Sequence, residues 1–181
     1  YLATGKSIGC VGTLLGTVAL AKVNECVAWG GKFNNDATTE YDTLEFANGQ
    51  AYLSVTDGNL STLDSYGYIF LKKFVGRSGS WWNDSHTATL PTSDYAYIEN
   101  NRTINKAIRG LRVFLLDYLA SPLQLNADGT LTDATVGFFE KLCANALDVM
   151  VRDRELSDYS VTIDPSQDVL STSELVISVS L

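Results

Sequence analysis

The chain has 181 residues, of which 45% are hydrophobic and 14 are Gly, and its formal net charge is -8. This composition excludes collagen-like, low-complexity and fully disordered proteins, and the length suits one domain with a packed core. The acidic balance argues against a general binder of nucleic acids or anionic membranes. We therefore expect a single domain over residues 1–181 that has no nucleic-acid partner.

The two ends of the sequence indicate a part of a longer protein. The only Met is Met150, so Tyr1 is not an initiator residue. The last residues still alternate between apolar and polar side chains, as a strand does. We expect a fragment of a larger subunit.

The first predicted element is an apolar helix over residues 7–28, which Ser7 can cap and Gly30-Gly31 can end. Its charge-free part, residues 8–21, is 14 residues long, whereas a helix that crosses a bilayer needs roughly 20 residues. We expect a buried helix and no membrane span.

Turn signals and short strands follow this helix. Strand candidates at residues 44–46 and 51–55 flank the turn Asn48-Gly49, and residues 60–65 fit one or two helical turns. Further along, two alternating segments are joined by a Gly-rich turn, which predicts a β-hairpin. Its strands are residues 68–75 and 81–89.

Two longer helices come next, over residues 100–119 and 133–152, and Thr132 is the predicted cap of the second. The apolar positions of the earlier one are Ile104, Ile108, Leu111, Leu115 and Leu119. Those of the later one are Val136, Phe139, Cys143, Leu147 and Met150. Both sets recur at helical spacing, so each helix should bury one face.

The sequence closes with two predicted strands, residues 159–163 and 174–181, separated by the breaker Asp164-Pro165. One face of the closing strand carries Leu175, Ile177, Val179 and Leu181. The order of helices and strands predicts an α+β fold, a mixed β-sheet covered by helices.

The only His, His86, lies in the run Asn83-Asp84-Ser85-His86. These residue types suggest the hypothesis of a hydrolase that uses Ser85 and His86. However, consecutive residues of a strand point to alternating faces, whereas a triad must converge from different parts of a fold. A polar cluster on the hairpin is favoured, and we expect no catalytic residue. The hydrolase and a secreted binding module remain the alternative functions.

Metal and cofactor sites find little support in the sequence. One His and the scattered Cys10, Cys26 and Cys143 do not supply a zinc site, so the Cys residues are predicted to be small buried hydrophobes. Residues 126–133 resemble part of a calcium loop, but the required acidic residues are missing from its first and twelfth positions. We expect a turn and a helix start there, and no cofactor or metal.

Two surface features are candidates for protein contacts. Arg102, Lys106, Arg109 and Arg112 fall on one side of the predicted helix and are called the basic row. The row is either a solvated face paired with nearby acids or a docking site for an acidic partner. The closing strand, with Leu175, Ile177 and Val179, either completes its own sheet or adds to the sheet of a neighbouring molecule.

Several segments resemble the C-terminal half of bacteriophage contractile-tail sheath proteins, particularly a divergent group in prophages of gut Bacteroides. The segments are residues 67–76 (GYIFLKKFVG), 83–87 (NDSHT), 95–104 (YAYIENNRTI), 106–110 (KAIRG), and 163–165 (IDP) with the closing strand. The resemblance covers the chain from about residue 7 to its last residue and includes no catalytic motif.

The resemblance implies a self-assembling structural subunit of a virion tail, assembled in the bacterial cytoplasm. Subunits of this family stack as hexameric rings around an inner tail tube, add strands to neighbouring sheets through terminal arms, and contract by rearranging those contacts without a cofactor. Carried onto this sequence, the closing strand would join the intersubunit mesh, and the helix with the basic row would face the tube protein or a neighbouring subunit.

Overall fold

A computed structural model describes residues 9–35 and 44–181 of the chain. The protein divides into two compact units, the first ending at Arg102 and the second comprising Thr103–Leu181. The expected single domain over residues 1–181 stays a prediction.

The elements of the described residues are short apart from two helices. The helices are α1 (Val11–Leu20), α2 (Asp57–Ser65), α3 (Ile98–Leu116), α4 (Asp133–Arg152) and α5 (Val169–Thr172), with a 3-10 helix at Tyr52–Ser54. The strands are β1 (Leu71–Lys72), β2 (Trp81–Trp82), β3 (Ser160–Thr162) and β4 (Ser178–Ser180).

Helix α1 corrects the prediction of a helix over residues 7–28, because it ends at Leu20. The predicted cap Ser7 lies outside the described residues. After Leu20 the chain makes turns, in which Lys22 N donates a hydrogen bond of 2.8 Å to Glu25 Oε2. Bonds between side chains and nearby backbone compete with helical ones, so local polar residues stop a helix that apolar content alone would extend.

The predicted hairpin is confirmed in its place and direction. Strands β1 and β2 are antiparallel, with Leu71 opposite Trp82 and Lys72 opposite Trp81. Each paired strand has only two residues, because Asn83 then uses its side chain: its Oδ1 accepts a hydrogen bond of 2.7 Å from the backbone N–H of Phe70. Trp81 and Trp82 are 1% and 0% exposed and are the largest fully buried side chains of the described residues.

The two earlier strand candidates are corrected by the structure. Residues 44–46 contribute only an isolated bridge, Glu45 with Ala51, and residues 51–55 contain the 3-10 helix. The predicted helical turns at residues 60–65 are confirmed as part of α2, which starts earlier because Thr56 caps it.

In the second unit, α4 has the predicted bounds and the predicted cap, since the Thr132 hydroxyl accepts a hydrogen bond from Thr135 N (3.3 Å). The predicted inward residues of α4 that are buried are Phe139, Cys143, Leu147 and Met150. Helix α3 fits its prediction less well: it ends at Leu116, before the predicted Leu119, and Ile108 and Leu119 are 52% and 78% exposed. Ala107, which no apolar stripe included, is fully buried instead.

The strands of the second unit also pair antiparallel, with Val161 of β3 opposite Val179 of β4. The α+β class is confirmed, and the described strands form two small antiparallel sheets rather than one mixed sheet. A side chain takes the place of strand pairing at Val176 and so shortens this second sheet. Gln167 Oε1 accepts a hydrogen bond from Val176 N (2.8 Å), and Gln167 Nε2 donates one to Val176 O (3.0 Å). The breaker Asp164-Pro165 ends β3, as predicted.

Two apolar clusters hold the second unit together. The first contains Ala107, Leu147 and Met150, and the second contains Leu131, Phe139 and Ile163. The closing segment packs on both, Val179 on the first and Leu175 and Ile177 on the second. None of the helices in the described part of the chain combines the length and the apolar character that crossing a bilayer requires.

Candidate functional site

The structure divides the basic row into two kinds of residue. Arg102 is half-buried, and its guanidinium donates to Ala21 O (2.9 Å) and Lys22 O (3.1 Å). These carbonyls follow the C-terminus of α1, where the helix dipole favours a cation. Lys106 forms an ion pair with Glu155, whose side chain is only 10% exposed. Both cations therefore serve the fold of the unit that contains them.

Arg109 and Arg112, by contrast, are exposed. Neither guanidinium forms a hydrogen bond or an ion pair with another residue that the structure describes. They lie on the same side of α3 as three exposed apolar residues, Ile108, Val113 and Leu116, which are 52%, 68% and 58% exposed. We call these five residues the α3 outer surface. An exposed apolar area with two available cations is typical of a surface that contacts another protein.

In the closing strand, the backbone edge is available to a neighbouring molecule, whereas the side chains predicted to make that contact are half-buried. Leu175, Ile177 and Val179 are half-buried against the core of their own unit. Strand β4 pairs with β3 in a two-stranded sheet, so each strand has one edge that is not paired within the sheet. Such an edge can accept a further strand. Contact through these three residues with a neighbour stays a prediction.

The polar cluster predicted on the hairpin also contains Asp64, which lies outside the hairpin sequence. His86 Nε2 lies 3.3 Å from Asp84 Oδ2 and 3.6 Å from Asp64 Oδ1. Asp64 comes from the last turn of α2, and Asp84 and His86 follow β2. An isolated antiparallel β-bridge pairs the backbones of His86 and Tyr97, and the rings of these two residues stack with centroids 5.7 Å apart.

Ser85 and His86 do not meet at one site. The Ser85 side chain is fully buried, and its Oγ accepts a weak hydrogen bond from the Cys26 thiol (3.5 Å). The imidazole of His86 faces the two aspartates instead. This opposite orientation follows from the alternation of side chains along an extended segment, so the chain does not present the nucleophile and base of a hydrolase here.

The Cys prediction holds only for Cys143, which is buried, since Cys26 is half-buried and Cys10 is exposed. Burial raises the pKa of the Cys26 and Cys143 thiols, which keeps both in the neutral form.

The loop at residues 126–133 forms the predicted turn and helix start: Asp128 Oδ1 accepts hydrogen bonds from Thr130 N and Oγ1. These bonds lower the pKa of Asp128.

Only part of the hairpin cluster carries a sequence signal. Asp84 and His86 are two residues apart, so an extended segment places them on the same face. Asp64 is 20 residues before Asp84, and no local pattern connects them. The position of α2 beside the hairpin could come only from tertiary structure.

One family model matches the later part of the chain. The family model described as DUF2586, C-terminal domain, matches residues 94–181, just under half of the chain. A comparison with curated proteins gave no match.

Two solved structures share the fold. One is a chain of the cryo-EM structure of the anti-feeding prophage baseplate, 6-fold symmetrised, with a TM-score of 0.54, 18% identity, and coverage of 78% of this chain and 40% of that chain. The other is a chain of the anti-feeding prophage helical sheath in the contracted state, with a TM-score of 0.53, 19% identity, and coverage of 71% and 36%. This chain thus corresponds to two fifths or less of the length of either.

Proposed function

We propose that the chain is part of a structural subunit of a phage-like contractile tail sheath, which assembles in rings around an inner tail tube. The observation that carries the proposal is the likeness of its fold to chains of a baseplate and of a contracted helical sheath. The resemblance of several sequence segments to sheath proteins supports the same role. A subunit of this kind contracts by rearranging its contacts with other subunits and needs no catalytic residue or cofactor.

The α3 outer surface is the part of the chain that we assign to these contacts. Arg109 and Arg112 offer charge to an acidic surface of the tube or of a neighbouring subunit, and the adjacent Ile108, Val113 and Leu116 offer apolar area. Contacts made by exposed charges weaken as salt rises, because ions screen them over roughly 8–10 Å at physiological ionic strength. Assembly should therefore depend on salt.

The test is electron microscopy and analytical ultracentrifugation of the encoded full-length protein across a series of salt concentrations. Long tubular polymers would support the sheath role. Closed rings without tubes would favour a baseplate role, which the other solved structure suggests. Monodisperse monomers at every salt concentration, also with the tube protein present, would overturn both.

Charge reversal tests which surface is used. We expect Arg109→Glu with Arg112→Glu to leave the fold intact and to reduce assembly. Lys141→Glu is the charge-matched control for each single reversal, since Lys141 is an exposed cation on α4. Arg102 and Lys106 are unsuitable for this test, because their reversal would also disturb hydrogen bonds or ion pairs within the fold. Unchanged assembly of the double variant would make the α3 outer surface a solvated face.

A further inference from the structure

We infer that Asp64, Asp84 and His86 form a binding site for a divalent transition-metal ion in the first unit. Each of the three side chains offers one ligand atom, and these atoms all lie within 4.8 Å of one another. The site is independent of the proposed role in a tail, since it concerns an ion bound within one chain. It revises the expectation, drawn from the single His, that the sequence lacks a metal site.

The distances fit a shared ion better than they fit direct hydrogen bonds. His86 Nε2 is 3.3 Å and 3.6 Å from the two carboxylate oxygens, whereas a good N–H···O bond measures about 2.7–3.2 Å. Ligand atoms around a tetrahedral ion with bonds of about 2.0–2.2 Å are about 3.3–3.6 Å apart. The two distances from the imidazole to the carboxylates are therefore those of two edges of such a site.

His86 Nε2 is also a buried atom without a hydrogen bond. The atom is shielded from solvent and has no hydrogen-bond partner, although two carboxylates are close to it. Buried ring nitrogens are normally satisfied, because leaving one unpaired costs free energy. An ion bound between the imidazole and the carboxylates would satisfy it.

Neighbouring groups hold the carboxylates in position. Asn83 Nδ2 donates to Asp64 Oδ1 (2.7 Å), and Ser85 N donates to Asp84 Oδ1 (2.8 Å), which leaves Asp84 Oδ2 facing the imidazole. Stacking on Tyr97 fixes the plane of the His86 ring. Metal sites typically have such supporting contacts around their ligands. The ligands therefore need little rearrangement to bind an ion.

The donor set indicates the class of ion. Calcium and magnesium prefer ligand sets made of oxygen, whereas an imidazole nitrogen with carboxylates suits Zn²⁺ and related ions. Two carboxylates and a neutral imidazole carry a charge of about -2, which one divalent ion neutralises. Three protein ligands leave a fourth position of a tetrahedral ion for water. Bound there, the ion would tie α2 to the segment that follows β2.

The competing occupant of the cluster is a proton. A charged imidazolium would also be attracted to the two carboxylates, without any metal. Because His86 is the only His of the chain, its NMR signals are unique once no polyhistidine tag is present. These signals, followed at neutral pH during metal addition, separate a bound ion from a bound proton.

The experiment uses untagged protein treated with a chelator and then titrated with Zn²⁺, Mn²⁺ or Ca²⁺ under calorimetry and NMR. We expect one Zn²⁺ per chain, a shift of the His86 ring signals, a raised melting temperature, and weaker binding of Ca²⁺. X-ray absorption of the zinc form should show one imidazole together with oxygen ligands. Zinc binding that leaves the His86 signals unchanged, or no binding, would overturn the inference.

Variants locate the bound ion. We expect His86→Gln and Asp64→Asn each to weaken Zn²⁺ binding about tenfold or more, while Asp94→Asn, an exposed carboxylate of the same unit, leaves it unchanged. Circular dichroism of each variant checks that it folds. Equal zinc affinity in folded Asp64→Asn and in the unsubstituted protein would also overturn the site, as would binding that is lost only on replacing Cys10. Assembly into tubes is measured separately, so failure of the metal site leaves the proposed tail role to its own test.

Discussion

The two units of the protein are stabilised in different ways. The second unit packs apolar side chains from two long helices and a small sheet, with Leu147 fully buried at the centre of one cluster. The first unit buries Trp81 and Trp82, and polar Ser80 and Ser85 are fully buried in it as well. One chain thus combines an apolar core that helical periodicity predicts with a core that depends on specific polar contacts.

The polar contacts of the first unit connect segments that are far apart in the sequence. Trp82 Nε1 donates to Thr17 Oγ1 over 3.1 Å, and Asn35 bonds to Ser80 O through both its backbone N–H (2.9 Å) and its side chain (3.2 Å). Gly79 has a φ of 127°, and a Cβ there would meet the Asn34 side chain at 2.2 Å. The close approach of these segments therefore requires a residue without a side chain.

The largest expected effect tests the apolar core of the second unit. Leu147→Ala should lower the free energy of unfolding by about 2–5 kcal/mol, because it removes fully buried methyl groups and leaves a cavity. Chemical denaturation measures the loss, and hydrogen exchange should place it in the second unit. Leu119→Ala, at a residue 78% exposed, is the control and should change stability by only about 0.5 kcal/mol. Equal losses in the two variants would contradict the assigned core.

An intermediate effect is expected in the first unit. Trp82→Phe should cost about 1–3 kcal/mol, because it removes a buried hydrogen bond to Thr17 and some packed volume. Trp29→Phe is the matched control, since Trp29 is 52% exposed, and should have little effect. If hydrogen exchange in the first unit is as slow in Trp82→Phe as in the unsubstituted protein, the polar contact is not what stabilises this core.

The smallest effect concerns a polar contact at the margin of the second unit. Tyr159 donates a hydrogen bond of 2.6 Å to Asp148, which raises the pKa of Tyr159 from 10.0 to about 12. The folded state holds the phenol proton of Tyr159 more tightly than the unfolded state does. The contact therefore contributes its full stability below about pH 10, and this contribution is lost as pH rises towards 12. The stability of Tyr159→Phe should therefore differ most from that of the unsubstituted protein at neutral pH.

Alkaline titration of the phenolate absorbance checks this prediction directly. The difference between the unsubstituted protein and Tyr159→Phe should report a group that titrates near 12. Asp148→Asn should bring that pKa down, because the accepting carboxylate is gone. A group that titrates near the ordinary tyrosine value of about 10 instead would show that the contact with Asp148 is not made in solution.

Periodicity and caps predicted the second unit well. The bounds of α4, its cap Thr132 and its buried face follow from spacing of 3.6 residues and from a local hydrogen bond, both of which act within a few residues. The alternation of Leu175, Ile177 and Val179 likewise predicted a common face, although not which apolar clusters they would join.

The same reasoning could not place α1 or the basic row. Helix α1 is apolar almost all around, so its sequence does not select a buried face: Val11 and Leu15 are 67% and 63% exposed, while Thr17 is buried. For the basic row, charge and spacing predict only that the four cations lie on one side of the helix. Only the positions of the carbonyls after α1 and of Glu155 decide that Arg102 and Lys106 stay within the fold.

By itself the sequence determined the acidic α+β character of the chain, the course of its later helices, and the alternation that turns Ser85 away from His86. These properties depend on composition and on contacts between near neighbours. Tertiary structure alone decided which cations remain available and which acids surround His86. Both outcomes depend on residues that are distant in the sequence, such as Asp64 and Asp84, and no local pattern records a distance that only folding creates.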